Sequence, residues 1–238
     1  MKKHIPNILT CSNLFSGCIA AYFAFHGELS TASYFLFLGL FFDYLDGFVA
    51  RILGVSGELG KQLDSLADVV SFGLVPGIMI QNFILHSPSL ENNPNSIWIS
   101  FFGYLITVFS AVRLAKFNLD TRQSENFIGL PTPACGALFA SIPFVLLNHG
   151  ETFGIYIFDP KFLLPFVLLM CFLLVAELPL FSLKFKNYDL KKNSIRYIFL
   201  LAAIVLFLIF NFSSIPLIIF IYILLSIIDL PYFKRKTT

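Results

Sequence analysis

Charge is what this sequence has least of. Only 13% of its 238 residues are Asp, Glu, Lys or Arg, about half of the roughly 25% usual in soluble domains. Hydrophobic residues make up 57% and mean hydropathy is +0.81. A water-soluble domain of this length has no core large enough to hide so much apolar surface, so most of it must face lipid. An excess of either sign is also missing: the formal charge is +2 and the pI about 8.3, and nothing argues for nucleic acid as a partner. The four cysteines, Cys11, Cys18, Cys135 and Cys171, fit no zinc or disulfide spacing and read as small buried hydrophobes. Internal repeats and low-complexity linkers are lacking, which leaves one transmembrane domain over residues 1–238. No small-residue cleavage site follows Met1-Lys2-Lys3-His4, and Ser12, Asn13 and Ser16 dilute the first apolar run. An uncleaved first helix is expected.

What is present is a series of apolar runs near the ~20 residues needed to cross a bilayer. Eight are expected, centred on 8–25, 31–50, 65–86, 97–115, 133–148, 162–180, 196–211 and 214–231. The last two are either a tight hairpin or one long helix kinked near Pro216. Cytoplasmic loops collect Lys and Arg, and this decides between the alternatives. With eight spans and both termini cytoplasmic, fifteen of the sixteen Lys and Arg fall on one side and only Lys161 on the other. The alternate loops, His26 to Ser30, Ser87 to Ser96 and Asn148 to Pro160, hold no Lys or Arg. Merging the last two spans would strand Lys234-Arg235-Lys236 on the wrong side. The basic stretch Lys184 to Arg196 reads as a loop against lipid headgroups.

Against this background four carboxylates stand out. Asp43 and Asp46 close the second span, and Asp64 and Asp68 open the third. A charge at membrane depth costs a few kcal/mol even on lenient scales and marks function by default. The members of each pair are three or four residues apart and share a helix face. The Gly54-Val-Ser-Gly57 turn is expected to lay the two helices antiparallel and bring the pairs together. Ion pairs at the water interface, Asp46 with Arg51 or Lys61 with Asp64, would account for one or two carboxylates but not for four at this spacing. Four converging carboxylates need cations between them, and an all-oxygen set suits Mg²⁺ or Mn²⁺, with two ions plausible in one site. Hard cations beside lipid act on phosphate groups, polarising phosphoryl oxygens and steadying a leaving group. Gly47 and Ala50 let a ligand lie close to the backbone, and Gly60 relieves the interhelical turn.

The pattern D-x2-D-G-x2-A-R-x8-G-x3-D-x3-D is met at every fixed position between Asp43 and Asp68, within 26 residues. In this the chain resembles the CDP-alcohol phosphatidyltransferases. The resemblance implies an all-α polytopic bundle with a six-helix catalytic core over about 5–180, two further C-terminal helices over about 196–231, and homodimeric assembly. It implies transfer from a CDP-linked lipid, CDP-diacylglycerol, to an alcohol by direct attack on the β-phosphorus with release of CMP. By the same resemblance Asp43, Asp46, Asp64 and Asp68 are metal ligands, and Asp68 is also general base. Gly47 and Ala50 flank the cytidine and Arg51 helps hold the diphosphate. Gly60, Lys61, Asn7, Thr10 and Asn13 complete the CDP-lipid contacts. The cell membrane, with the site facing the cytoplasm, is the implied location.

Other stretches bear on the acceptor. Ile5-Pro6-Asn7 through Asn13 to Gly17, Leu63 to Gly73, Arg113-Leu-Ala-Lys-Phe-Asn118 and Gly129-Leu-Pro131-Thr132-Pro133 look like the membrane-embedded bacterial and archaeal members that use L-serine. Serine is a zwitterion, so its pocket needs a cation for the carboxylate and polar acceptors for the ammonium; Arg113 and Asn118 are expected to supply part of each. Arg113 and Lys116 also satisfy the positive-inside rule, and Pro131 and Pro133 also suit a helix start. A phosphorylated alcohol such as glycerol 3-phosphate or inositol phosphate is the rival acceptor; it needs a denser basic pocket, for which Arg113, Lys116 and Arg122 are on offer. Membrane prenyltransferases hold Mg²⁺ on Asp motifs in distant helices, unlike these. An ion-coupled transporter would show paired halves with interrupted helices, and the second half offers only Glu177 and Asp229 near membrane depth.

Overall fold

The structure, a computed structural model, describes residues 4–55, 57–120, 127–181 and 193–234. Most of the Lys184 to Arg196 stretch, together with Arg122, Arg235 and Lys236, lies outside the described residues. Within them the chain forms eight helical rods. The first two are α1 (His4–Phe25) and α2 (Leu29–Leu53). The third is composite: α3 (Glu58–Asp68), a π-helical segment Val69–Leu74, and α4 (Val75–Leu85). The fourth joins α5 (Ser96–Ser100), a 3-10 segment Phe101–Tyr104 and α6 (Leu105–Leu119). Then come α7 (Thr132–Phe158), α8 (Pro160–Val175), α9 (Ser194–Phe210) and α10 (Ile215–Lys234). The expected polytopic membrane helix bundle is what the chain forms, and five helical stretches are long and apolar enough to cross a membrane: His4–Phe25, Glu58–Leu85, Ser96–Leu119, Thr132–Phe158 and Ser194–Ile228.

The last stretch contains two rods, not one. Phe199 in α9 and Tyr222 in α10 have ring centroids 5.6 Å apart, whereas a continuous helix would part residues at that sequence separation by about 35 Å at 1.5 Å per residue. The chain reverses at Asn211, whose backbone is left-handed with φ 49°. The hairpin favoured by the charge map is therefore the structure.

Small residues set the packing. The buried face of α1 is Pro6, Thr10, Asn13, Ser16, Gly17, Ala20 and Ala24, a stripe at helical spacing that admits close neighbours on both sides. Between helices in lipid, such close approach replaces hydrophobic driving force. A Cβ on Gly39 of α2 would stand 2.9 Å from Asn13 Oδ1, and one on Gly17 would collide with the Ser71 hydroxyl. α1 packs along α2 and also along α3, the π segment and α4, while α2 meets the third rod only sparsely. This modifies the expectation for the Gly54–Gly57 turn. The second and third helices meet only sparsely, each packing mainly along α1, and the carboxylates of Asp43, Asp64 and Asp68 come together between them. Gly54 makes the turn with φ 61°, its N–H returning to the carbonyls of Ala50 and Arg51, a left-handed helix cap.

The all-α bundle holds one short addition, β1 (Phe127–Ile128) paired antiparallel with β2 (Pro179–Leu180). Two further expectations are corrected. The Asn148 to Pro160 loop is largely helical, a continuation of α7 beyond a break at His149, where φ is −141° and ψ 28°. Of the four cysteines only Cys135 and Cys171 are buried; Cys11 and Cys18 are exposed on α1, and a thiol is apolar enough to be turned outward from a membrane helix. The core runs from Ala20 and Leu36 through Phe72, Val75, Ile78 and Phe83 to Phe139, Val167 and Leu174.

Candidate active site

The last two turns of α2 place Asp43, Asp46, Gly47 and Ala50 on one face, at the i, i+3, i+4, i+7 spacing of a helix. Gly60, Asp64 and Asp68 repeat every four residues along α3. Where the two faces converge, carboxylate oxygens of Asp43, Asp64 and Asp68 all lie within 4.8 Å of one another. Asp46 and Asp68 are buried, 7% and 5% exposed. Asp46 stands just to one side of the other three and is tied to α1, where Thr10 Oγ1 donates to its Oδ2 at 2.5 Å. Asn13 Nδ2 donates to Asp68 Oδ1 at 3.4 Å.

The π-helical segment begins at the residue after Asp68. A π turn shifts the helical register and leaves carbonyls to seek other partners. Here Thr107 Oγ1 of α6 donates to the Gly73 carbonyl at 3.0 Å, and Ser71 Oγ donates to the Asn13 carbonyl at 3.1 Å. Asp68 thus sits on a distorted turn braced by both α1 and α6. Only tertiary contacts sustain that geometry.

A cavity of about 460 Å³ opens beside the carboxylates. Its walls bring together Asn7 and Thr10 of α1, Asp46, Gly47 and Ala50 of α2, and Gly60, Lys61 and Asp64 of α3. Most of the residues expected for the CDP-lipid are therefore on one wall system. The small residues keep it open: a Cβ on Gly47 would come no nearer than 3.9 Å to any neighbouring side chain, with Arg51 Nη1 the closest atom. His4 and Pro6 also line it, and were not expected to. The sequence holds no signal for His4 beyond its closeness to Asn7.

Other expected residues are placed elsewhere. Arg51 is exposed and does not line the cavity, and Asn13 lies deeper, against Asp68. Asn118 is committed to the scaffold: its Nδ2 donates to Ser65 Oγ at 2.8 Å and its carbonyl accepts from Lys61 Nζ at 2.8 Å. It ties the end of α6 to α3, with one side-chain N–H and the backbone carbonyl used in doing so. Arg113, by contrast, is 7% exposed and close enough to Asp68 to act on it electrostatically. Its guanidinium stacks near Phe117, 5.4 Å from the ring centroid, and Nη1 donates to Thr132 Oγ1 at a long 3.4 Å. Its Nε is buried with no hydrogen-bond partner. A buried guanidinium with an orphaned N–H is costly unless an anion completes it. Thr132 was legible only as part of a singled-out stretch.

The carboxylates fit a hard divalent cation. They form an all-oxygen donor set, and Asp64 Oδ1 is buried without a hydrogen-bond partner, a state that a bound cation relieves. Asp43, Asp64 and Asp68, with Asp46 alongside, are the residues that would hold it.

Residues 3–178 match the CDP-alcohol phosphatidyltransferase family. The chain is similar to a CDP-diacylglycerol–serine O-phosphatidyltransferase of Helicobacter pylori, with 30% identity over 207 residues, covering 86% of this chain and 81% of that protein. It is also similar to an enzyme of the same description from Bacillus subtilis, 29% identical over 171 residues, covering 68% of this chain and 90% of the relative. An archaetidylserine synthase of Methanothermobacter thermautotrophicus is 35% identical over 140 residues, 58% of this chain and 56% of its own.

Proposed function

The chain belongs to the CDP-alcohol phosphatidyltransferase family, and from that premise we propose that it transfers the phosphatidyl group of CDP-diacylglycerol to the hydroxyl of L-serine, giving phosphatidylserine and CMP. The observation that carries the reading is the convergence of Asp43, Asp64 and Asp68 within 4.8 Å beside a cavity walled by Gly47, Ala50 and Gly60. Carboxylates for cations and an open backbone wall for a flat base then stand at one place.

In this reading Asp68 accepts the serine hydroxyl proton as the oxygen attacks the β-phosphorus. The new P–O bond forms as the bond from that phosphorus to the bridging oxygen breaks, and CMP leaves with the electron pair. The four aspartates would hold Mg²⁺ or Mn²⁺, proposed as two ions, which would supply charge neutralisation for the diphosphate and for the departing CMP. Thr10 orients Asp46 and Asn13 orients Asp68. Lys61, whose ammonium is already near the cavity mouth, offers charge to the diphosphate, and Arg51 reaches it only from outside the cavity. Arg113, buried and with Nε unpartnered, takes the serine carboxylate. Asn118 holds the α3 face through Ser65, and its Oδ1 is the acceptor proposed for the serine ammonium.

A phosphorylated acceptor finds less support. Lys116 is exposed, which leaves Arg113 as the buried guanidinium beside Asp68 among the described residues, and one such group matches a carboxylate better than a phosphate dianion. Homodimeric assembly and a cytoplasmic site in the cell membrane belong to the same proposal; the Lys and Arg distribution supports the orientation, and family resemblance supports the dimer.

The test is direct. Purified protein is given CDP-diacylglycerol and Mg²⁺ or Mn²⁺ with labelled serine, glycerol 3-phosphate or inositol phosphate, and CMP release and lipid product are followed. Phosphatidylserine is the expected product; a lipid formed from another alcohol and none from serine overturns the assignment.

A further inference from the structure

Two buried donors stand on one face of α6 with no acceptor among the described residues. Ser110 is 0% exposed and Arg113 7%, and neither Ser110 Oγ nor Arg113 Nε has a hydrogen-bond partner there. A helical serine ordinarily turns its hydroxyl back on its own helix. Ser12, Ser33, Ser65 and Ser226 do so, each donating to the carbonyl four residues earlier at 2.7–3.2 Å. Ser110 forgoes that bond. It precedes Arg113 by three residues, which sets the two about 60° apart around the helix.

Hydrogen bonds fix where this face lies. Asn118, at the end of α6, bonds to Ser65 at 2.8 Å, and Thr107, about three turns earlier, bonds to the Gly73 carbonyl at 3.0 Å. α6 therefore runs antiparallel to the third rod. Ser110 and Arg113 fall between those two ties, alongside the stretch from Ser65 to Gly73 that holds Asp68 and the π segment. At Gly73 the approach is close: a Cβ there would stand 3.2 Å from Ser110 Cβ and 3.5 Å from its Oγ. Glycine is what lets the hydroxyl sit against the π segment.

A buried polar group left unpaired has lost its water and gained nothing in exchange, and the identity of the two atoms limits what could complete them. Guanidinium Nε only donates, while a hydroxyl can also donate. A cation would satisfy Ser110 and leave Arg113 as it is. A carboxylate, with two oxygens, takes one bond from each. We propose that Ser110 is a specificity-determining residue of the acceptor pocket, its hydroxyl and Arg113 Nε together receiving the carboxylate of the alcohol. The inference rests on the reading of serine as acceptor and deepens it, adding to Arg113 a second donor just outside the stretch Arg113 to Asn118.

The full chain is compared with Ser110→Ala, which removes the hydroxyl and adds no bulk against Gly73. KM is measured for serine and for CDP-diacylglycerol, with the inhibition constant of ethanolamine (the same amino alcohol without the carboxylate) and the unfolding temperature with and without serine. Ser110→Ala is expected to raise the serine KM about tenfold, the usual scale for losing one hydrogen bond to a charged group. The CDP-diacylglycerol KM and the ethanolamine constant should stay within about twofold. Without substrate the unfolding temperature should hold or rise, since an unpaired buried hydroxyl is gone, and the rise that serine gives the wild type should shrink. An unchanged serine KM overturns the proposal. So does a serine KM that rises together with that of CDP-diacylglycerol while the unfolding temperature falls, which marks a packing role. An ethanolamine constant that rises in step with the serine KM also overturns it, since the hydroxyl would then serve the ammonium end. A wild-type chain that makes no phosphatidylserine overturns the serine reading beneath it, an outcome visible before any variant is assayed.

Discussion

Thr10 of α1 and Asp46 of α2 are joined by a 2.5 Å hydrogen bond from Oγ1 to Oδ2, and both side chains are buried. The donor comes from a helix that carries none of the four aspartates. α1 therefore fixes a carboxylate that lines the cavity. Thr10→Val, which keeps shape and removes the donor, should lower kcat/KM for CDP-diacylglycerol by about ten- to a hundredfold, the range for a hydrogen bond to a charged group. Thr10→Ser should retain most activity. Equal activity in the valine variant would show that Asp46 is held by other means.

Asp68 is expected to be the least replaceable side chain. Asp68→Asn preserves size and the contact with Asn13 but can neither take the serine proton nor bring a full charge to a cation. Turnover should fall by at least about a hundredfold, the low end for losing a general base, while the detergent-solubilised variant unfolds at a temperature close to wild type. Retained turnover would remove Asp68 from the role of base.

Removing divalent metal should abolish activity and also weaken the fold. With Asp43, Asp64 and Asp68 oxygens within 4.8 Å, loss of a cation leaves like charges converged in a poorly hydrated place, a repulsion that favours separating the helices. Excess chelator should lower the unfolding temperature, and Mg²⁺ or Mn²⁺ should restore both properties, by the linkage that any ligand of the native state obeys. An Asp43→Asn, Asp64→Asn double variant should show a much smaller shift. A metal-independent unfolding temperature in the wild type would count against a resident ion.

Gly47 separates a ligand seat from a packing site. A Cβ there would approach only Arg51 Nη1, at 3.9 Å, so Gly47→Ala should be tolerated by the fold. On helix propensity alone it should add about 0.5–1 kcal/mol. If the cytidine lies against this backbone, the same change raises the KM for CDP-diacylglycerol severalfold. A more stable and equally active variant would place the nucleotide elsewhere.

Gly129 is the opposite case. It has φ +77°, and a Cβ would stand 2.7 Å from the Leu174 carbonyl and 3.0 Å from that of Ala176. No flexible side chain is there to yield. Gly129→Ala should destabilise the protein by more than about 1 kcal/mol, the cost of a left-handed backbone for an L-residue, read as a lowered unfolding temperature. Because Thr132 follows the same strap and accepts from Arg113, the serine KM should rise as well.

Helix count, membrane residence and the four aspartates were legible in the sequence because each is a local property. Apolar run length reports a span, Lys and Arg report a side, and the spacing of Asp43, Asp46, Asp64 and Asp68 reports a shared helix face. Even the C-terminal hairpin followed from charge bookkeeping, and the Phe199–Tyr222 ring contact agrees. Periodicity says which residues share a face, however, and not what stands opposite that face. It gave no hint that α1 would separate α2 from the third rod, that the helix would widen into a π turn after Asp68, or that Asn118 would bond to Ser65.

The sequence by itself determined that this chain lives in a bilayer and carries four carboxylates at helical spacing, since composition and short-range spacing are enough to force both. Only the tertiary structure decided which side chains complete the site. Thr10 meets Asp46, Asn13 meets Asp68, and Asn118 reaches Ser65 from far along the chain. Such partners are chosen by how small residues let helices approach and by where buried polar groups must find one another, and neither is written in the order of residues along a single helix.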